Sequence, residues 1–299
     1  MQNRKFKIGY FADGPWSHRA LEKILLNDSN KVCFIVPRTD TKDDTLKTIA
    51  IRNEIDYLHP VKINDKEFIE IAKSYNCDLF VSLSFNQIFK NEIIDIPKYK
   101  TINCHAGKLP FYRGRNVLNW VLINDEKEFG ITVHYVDQGI DTGDIILQNT
   151  YPITDNDNYG SILEKAFSEC GVLLYEAIEL IKDGTSTRTP QIEKHPVGFY
   201  CGGREIGDEL IDWNNTSRNI FNFIRALSNP GPIARTKFKN QEIKIHRSTF
   251  IKEAPQYINI PGQIIGKTSS GFLVKTKDSY IEINDIEFNG NLKIGDRLG

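Results

Sequence analysis

Between residue 6 and residue 182, short apolar runs alternate with segments in which apolar residues recur every three or four positions. The runs predict buried strands, and the helical spacing predicts amphipathic helices. Strands that alternate with helices in this way indicate βαβ units and an α/β fold with a mostly parallel sheet. The predicted strands are 6–12, 32–36, 79–83, 101–103, 130–136 and 145–148, and the predicted helices are 18–26 with Ser17 as N-cap, 44–53, 67–75, 117–123 and 159–182.

The pattern changes after about residue 189. Five prolines and glycines fall within 190–205, which is typical of a linker. A helix over 218–227 and short strands with period-two alternation follow, and together they predict a small β-rich domain built as a partly open barrel. The strands are predicted at 236–238, 243–245, 262–266, 271–276 and 280–283. We therefore expect an α/β domain over 1–189, a linker over 190–205 and a C-terminal β domain over 206–299.

Charge and cysteine content narrow the function classes. The 299 residues carry a net charge of -1, and a nearly neutral chain has no overall attraction to nucleic acid or to anionic lipid. The five cysteines lack the spacing of zinc ligands, which predicts reduced thiols and no metal. We find no apolar run of the roughly 20 residues that a membrane span requires. These observations favour a cytoplasmic protein with neither a nucleic-acid nor a membrane partner.

The first candidate motif follows a predicted strand and runs from Asn103 through His105 to Asn116. Asn103 and His105 are two residues apart, so on a continuing strand they face the same side. An amide can donate to a developing oxyanion, and an imidazole can exchange a proton near neutral pH. This pair therefore fits acyl transfer.

A second candidate motif, Asp137 to Asp144, lies between two predicted strands. It is rich in Gly and Asp and, taken alone, is equally typical of a polar turn. An aspartate beside a histidine would orient the imidazole and favour its charged form. The spacing alone does not establish that Asp141 meets His105.

Together the two motifs resemble the 10-formyltetrahydrofolate-dependent formyltransferases. That family has Asn-x-His, then Leu-Pro and Arg-Gly, then Asp-x-Gly tens of residues later. This chain matches at Asn103, His105, 109–110, 113–114 and 141–143. The resemblance continues at 211–213, 224–227 and 230–232, where it implies the family's C-terminal β domain. It implies a Rossmann-like formyltransferase domain in which Asn103, His105 and Asp141 are catalytic.

The resemblance also implies a slot for 10-formyltetrahydrofolate as co-substrate. We expect this slot between the turn after the third predicted strand and the second motif. The residues expected to line it are Phe85, Asn86, Gln87, Ile88, Asp137 and Gly139.

The acceptor is expected from finer likenesses. The segment 112–122 resembles the branch that formylates nucleotide-linked amino sugars, and 106–108 lacks the Ser-Leu type of the RNA-modifying branch. We therefore expect a nucleotide-linked 4-amino-4,6-dideoxyhexose, with dTDP preferred, for surface polysaccharide assembly. Its expected contacts are Trp16, Lys108, Arg113 and Arg115, although a helix staple and solvated surface charges explain the same residues.

Several alternatives stay open at this point. Methionyl-tRNA formyltransferase is the first, and a hydrolase that releases formate from the same folate is the second. A non-catalytic binding module is a third, from a different class, because a fold alone does not establish catalysis. The histidines at 18, 59, 134, 195 and 246 have no motif context, so we expect them to be structural or on the surface. A homodimer is expected because dimers are the commonest oligomers.

Overall fold

The computed structural model describes residues 4–299, so Met1, Gln2 and Asn3 of the predicted first domain lie outside the described residues. The chain forms two structural units. Of the described residues, the first comprises 4–115, 129–151 and 164–201, and the second comprises 116–128, 152–163 and 202–299. The segment predicted as a linker supplies its residues up to Cys201 to the first unit.

The helices and strands occur where the hydrophobic pattern predicts them, with a few short additions. The strands are β1 (Phe6–Ala12), β2 (Asn30–Val36), β3 (Asp56–Tyr57), β4 (Leu79–Leu83), β5 (Thr101–His105), β6 (Arg113–Gly114), β7 (Glu128–Tyr135), β8 (Ile145–Pro152), β9 (Tyr200–Cys201), β10 (Ala234–Phe238), β11 (Gln241–Thr249), β12 (Ile264–Lys267), β13 (Gly271–Lys275) and β14 (Tyr280–Glu287). The helices are α1 (Gly14–Leu25), α2 (Asp44–Arg52), α3 (Lys66–Ser74), α4 (Asn91–Ile94), α5 (Val117–Ile123), α6 (Tyr159–Lys182), α7 (Gln191–Lys194) and α8 (Ser217–Leu227).

The first unit is built on a sheet of seven strands in the order β3-β2-β1-β4-β5-β7-β8. The pairs β1–β2, β2–β3, β1–β4 and β4–β5 are parallel, and β5–β7 is antiparallel. The predicted mostly parallel sheet is therefore confirmed. The antiparallel pair has a functional consequence, because it places Asn103 directly opposite His134.

An aromatic cluster fills part of the core of this unit. The ring of Phe11 lies 5.6 Å from that of Phe34, 5.3 Å from Phe80 and 5.1 Å from Phe89, all edge-on. Edge-to-face pairs at this distance are favourable beyond the area they bury. Gly9 makes room for them, because a Cβ there would lie 2.5 Å from Phe34 and 2.7 Å from Phe80.

Helix α1 starts earlier than the sequence predicts. Ser17 is not its N-cap; it is buried inside the first turn and donates to the carbonyl of Gly14 at 2.8 Å. Proline in the first turn favours the earlier start, since its missing N–H is an orphan there anyway. Asp43 accepts from Gly14 N at 2.8 Å and from Leu46 N at 2.8 Å, so one carboxylate serves the starts of α1 and α2.

The second unit contains a five-stranded antiparallel sheet in the order β10-β11-β14-β13-β12. Helix α8 packs on it and begins at Thr216, whose hydroxyl accepts from Asn219 N at 3.2 Å as an N-cap does. The predicted C-terminal β-rich fold is confirmed. Its core consists of buried residues that include Trp213, Ile220, Ile224, Leu227, Ile243, Ile245, Ile281 and Ile283.

Within residues 4–299, none of the helices combines the length and the apolar character that crossing a bilayer requires.

Candidate functional site

The side chains of Asn103, His105 and Asp141 meet beside β5. The carboxylate of Asp141 lies between the other two, with Oδ2 at 3.6 Å from His105 Nδ1 and Oδ1 at 3.5 Å from Asn103 Nδ2. These distances are longer than a strong charge-assisted hydrogen bond, which lies near 2.7–2.9 Å. The three groups are therefore close neighbours, but no short hydrogen bond joins Asp141 to Asn103 or to His105.

The other ring nitrogen of His105 is held by the main chain. Nε2 lies 2.7 Å from the carbonyl oxygen of Tyr112, which can only accept, so Nε2 carries a proton and donates. Gly107 permits this contact, since a Cβ there would lie 2.4 Å from the Tyr112 oxygen and 2.5 Å from Nε2. With Nε2 occupied, Nδ1 is the nitrogen that can exchange a proton with a group beside Asp141.

Asp141 is held in an unusual backbone conformation and kept ionised. Its φ of 55° is in the left-handed region, which Asp and Asn tolerate better than most residues. Burial by itself would raise its pKa. The charge of His105, the hydrogen bond and charge of His134, and the N–H of Gly114 at 2.9 Å outweigh burial and hold the pKa well below its usual range. Asp141 is therefore a carboxylate at physiological pH.

His134 also belongs to this cluster, although the sequence predicts a structural or surface residue at this position. It is buried, and its Nε2 lies 3.2 Å from Asn103 Nδ2 and 3.5 Å from Asp141 Oδ1. Its Nδ1 donates to the carbonyl of Tyr135 at 2.8 Å, so Nε2 accepts from Asn103 when the ring is neutral and can donate to Asp141 when the ring is protonated. Only the strand register connects His134 with the site, because His134 lies opposite Asn103 when β5 and β7 pair antiparallel.

The residues predicted to hold the folate lie on two loops. Phe85 packs its ring 5.7 Å from Phe11, and Gln87 binds the main chain by accepting from Ile63 N at 3.0 Å. Asn86 is exposed, and Ile88 is 62% exposed.

The second loop is held by hydrogen bonds between its own residues. Asp137 accepts from Gly139 N at 3.0 Å and from Thr142 Oγ1 at 2.5 Å. A Cβ on Gly139 would lie 2.0 Å from that hydroxyl, so a larger residue would displace the Thr142 side chain. The folate-binding roles of Phe85, Asn86, Gln87, Ile88, Asp137 and Gly139 stay predictions.

The four predicted acceptor contacts have different environments. Trp16 packs edge-on against Phe167 at 4.6 Å, and Lys108 is half-buried beside Gly130. Arg113 donates from Nε and Nη2 to Gln191 Oε1 at 3.1 and 2.6 Å, so its guanidinium is already bound. The side chain of Arg115 is exposed.

Among residues 4–299 we find no group of three or more His, Cys, Asp or Glu side chains arranged to hold a metal ion. The cluster at Asp141 comprises an amide, two imidazoles and a carboxylate. Such a set can donate to a developing oxyanion and relay a proton.

Comparisons with known families cover most of the chain. A family model described as formyl transferase matches residues 11–178, and one described as formyl transferase, C-terminal domain, matches residues 206–295. The matched ranges include all of the residues in the cluster around Asp141.

Curated relatives match across both of these ranges. The methionyl-tRNA formyltransferase of Clostridium tetani is 36% identical over 290 residues, which cover 94% of this chain and 92% of the relative. That of Pelotomaculum thermopropionicum is 35% identical over 255 residues, 85% of this chain and 80% of the relative.

Solved structures are similar in fold. WlaRD, a sugar 3N-formyl transferase solved with dTDP and 5-N-formyl-THF, superposes with a TM-score of 0.71 at 24% identity over 96% of this chain and 98% of that one. The N-formyltransferase of Helicobacter canadensis, solved with folinic acid and dTDP-3-aminofucose, gives a TM-score of 0.71 at 25% identity over 94% of this chain and all of that one (100%).

The relatives correct two expectations. The expected nucleotide-linked amino sugar, with its role in surface polysaccharide assembly, is wrong, because relatives at 30–36% identity over most of the chain are methionyl-tRNA formyltransferases. The expected absence of a nucleic-acid partner is wrong for the same reason. The net charge of the whole chain is a poor guide to a nucleic-acid partner, because it adds two parts of opposite sign. Residues 202–299 have 14 Lys and Arg against 11 Asp and Glu (+3), and residues 1–201 have 24 against 28 (-4).

Proposed function

We propose, from the premise that this chain belongs to the formyl transferase family, that it transfers a formyl group to the α-amine of methionyl-tRNA. The chain is a folate-dependent formyltransferase, and its formyl donor is 10-formyltetrahydrofolate. The observation that carries the choice of acceptor is the 36% identity to a methionyl-tRNA formyltransferase over 94% of this chain. With this acceptor, we propose that the reaction takes place in the cytoplasm.

The environment of Asp141 fits a formyl donor. Asn103 Nδ2 has two hydrogens; one faces His134 Nε2 at 3.2 Å, and the other has only the long 3.5 Å contact to Asp141. Because that contact is long, the second N–H can turn from Asp141 to a formyl oxygen. The exposed Ile88 and the turn at Asp137 and Gly139 would hold the pterin ring.

The residues divide the chemistry between them. Transfer forms a bond between the formyl carbon and the amine nitrogen, places negative charge on the formyl oxygen of the tetrahedral intermediate and releases a proton from the attacking nitrogen. The bond between the formyl carbon and N10 of the folate then breaks, and N10 takes up a proton as tetrahydrofolate leaves. Asn103 stabilises that charge as a preorganised donor. His105, anchored through Nε2, moves the proton at Nδ1, and the Asp141 carboxylate stabilises the imidazolium that results. The acceptor nitrogen must arrive as a neutral amine, which a partly dry site favours.

An aromatic surface beside the site fits the end of a tRNA. Methionine is esterified to the unpaired 3′ strand, and proteins hold unpaired bases by stacking them on aromatic rings and Arg planes. Phe199 and Tyr200 are 41% and 55% exposed; Phe199 lies 5.5 Å from the ring of Phe111, and the guanidinium of Arg113 lies 5.5 Å from Tyr200. Arg115 is exposed next to them and available for a phosphate.

The test is formyl transfer to purified initiator tRNA charged with methionine. The product is hydrolysed and formylmethionine is measured by mass spectrometry, with uncharged tRNA as the blank. We expect formylmethionine at a rate that falls with added salt, because phosphate contacts are salt-dependent. Formate released equally fast without any acceptor would contradict the proposal in favour of a hydrolase. Transfer only to a nucleotide-linked amino sugar would contradict the acceptor.

A further inference from the structure

One buried amide connects the loop that carries Asp141 to the segment that carries Arg113. Gln191 is the first residue of α7 and is 5% exposed. Its Nε2 donates to the main-chain oxygens of Asp141 at 2.8 Å and Gly143 at 2.9 Å. Its Oε1 accepts both bonds from Arg113. A carboxamide has two N–H donors and one oxygen with two lone pairs, so its capacity is fully used inside the protein.

The donor side of Gln191 acts on the loop that carries Asp141. That loop is tightly packed, because a Cβ on Gly143 would lie 1.8 Å from the carbonyl of Tyr135. Asp141 has a left-handed φ of 55°, a conformation that persists only when its surroundings fix it. The two bonds from Gln191 fix the carbonyls on either side of Thr142 and thereby the position of the Asp141 carboxylate.

The acceptor side acts on the loop that contacts His105. Arg113 lies between Tyr112, whose carbonyl holds His105 Nε2, and Gly114, whose N–H donates to Asp141 Oδ2. The Arg113 main-chain N–H also donates to Phe199 O at 3.1 Å. Holding the guanidinium therefore fixes the segment on which both contacts depend.

We propose that Gln191 is a positioning residue for formyl transfer, which ties the loop of Asp141 to the segment of Arg113 so that Asp141 faces Asn103 and His105. The inference rests on the proposed catalytic roles of those three residues. Only a neutral amide of this length offers two donors to one loop and an acceptor to the other. Glutamate keeps the acceptor for Arg113 but points a second carboxylate at two carbonyls.

The first test is the single-turnover rate of formyl transfer by Gln191→Met and Gln191→Glu. We expect each to be about 10–100-fold slower than the wild type, because a displacement of 1 Å at a reacting group costs about that much. Gln191→Glu is included because its bond to Arg113 preserves folding if Gln191→Met is too unstable. A rate within threefold of the wild type for the folded variants would overturn the proposal.

A double-mutant cycle separates positioning from general destabilisation. Asp141→Asn keeps a residue that tolerates a left-handed φ and removes the charge that Gln191 is proposed to place. In that background we expect Gln191→Glu to slow transfer less than threefold, since there is no carboxylate left to position. An equal loss in both backgrounds would show that Gln191 acts only on the stability of the fold, and the proposal would fail.

Asn30→Leu is the matched control. Asn30 is also a buried amide of the first unit, and it donates to Glu179 Oε1 at 3.2 Å, at the start of β2. We expect it to lower the melting temperature while its single-turnover rate stays within threefold of the wild type. The acceptor is whichever amine the wild type formylates, so failure with methionyl-tRNA rejects the proposed function without deciding the role of Gln191.

Discussion

Two clusters in this molecule are each built around an aspartate with a lowered pKa, but they differ in partners and geometry. In the first unit, Asp141 lies 3.5–3.6 Å from His105, His134 and Asn103. In the second unit, Arg218 donates to Asp125 at 3.0 Å from Nε and lies 2.7 Å from Asp155.

A lowered carboxyl pKa is common to both clusters. Burial works against it in each case. Arg218, Lys127 and Asn222 nevertheless lower the pKa of Asp125 to about 2, and the histidines lower that of Asp141. Structural ion pairs also perturb pKa values, so the shift does not mark a reaction centre. The first cluster differs in that the contacts of its carboxylate, at 3.5–3.6 Å, are long and are made to imidazoles and an amide. The second is a tight network of permanent guanidinium charges.

The largest expected effect is on substitution of His105, the residue proposed to carry the proton. His105→Asn is expected to lower the transfer rate about 10²–10³-fold, because one donor and proton carrier is lost from the transition state. Folate affinity, measured by fluorescence titration, should change little. His246→Asn is the control, since His246 also lies 3.6 Å from a carboxylate, Glu287, but in the second unit. A rate for His105→Asn within threefold of that control would remove His105 from the mechanism.

Gly107→Ala tests the anchor of His105 without changing any reacting group. The new Cβ would lie 2.5 Å from His105 Nε2, so the imidazole or the Tyr112 carbonyl must move. We expect a loss of about tenfold to 100-fold in rate, in line with a displacement of about 1 Å. Gly184→Ala is a control on open surface, as nothing lies within 4 Å of its Cβ, although its φ of 71° makes it mildly strained. Equal rates for the two variants would show that the anchor is dispensable.

Asp125→Asn tests the second cluster. Asparagine tolerates the φ of 58° at this position, so the change removes charge and little else. We expect the free energy of unfolding to fall by about 1–3 kcal/mol, because Arg218 loses a partner. Urea unfolding measures this loss. The single-turnover rate of formyl transfer by the folded variant should match that of the wild type. A large loss of rate would contradict the view that the second cluster serves stability and only the first serves catalysis.

The smallest expected effect is on pH dependence. The folded-state pKa of Asp125, about 2, is below its ordinary value near 3.9. Its contribution to stability is therefore fully present above the ordinary value and is lost as the pH falls through about 2. The difference in unfolding free energy between wild type and Asp125→Asn should shrink from pH 6 to pH 3. A difference that stays constant would assign the stabilisation to a neutral hydrogen bond.

The same contrast explains what the sequence could predict. The regular helices and strands follow from periodicity, and each strand predicted for the second unit is present as β10 to β14. His134 could not be connected to Asn103 because the antiparallel register of β5 and β7 is a tertiary property. Gln191 lies in a Pro- and Gly-rich segment that is typical of a linker, and only its side-chain bonds reveal its place. The predicted homodimer stays a prediction.

The acceptor was the weakest expectation for a physical reason. Net charge averages a basic C-terminal part and an acidic N-terminal part, so it says little about a local phosphate-binding surface. Local likeness at 112–122 favours nucleotide sugars, whereas identity over 94% of the chain favours methionyl-tRNA. Residues around the reaction centre report the chemistry that the branches share and distinguish acceptors poorly.

The most direct test is a competition for one formyl group. Wild-type protein receives limiting 10-formyltetrahydrofolate, labelled with carbon-14 in the formyl group, together with equal concentrations of methionyl-tRNA and a dTDP-linked 4-amino-4,6-dideoxyhexose. The partition of label reports the ratio of the two kcat/KM values. We predict that the label is recovered in formylmethionyl-tRNA and that His105→Asn transfers about 10²–10³-fold more slowly. Label recovered in the sugar, or released as formate, would contradict the account.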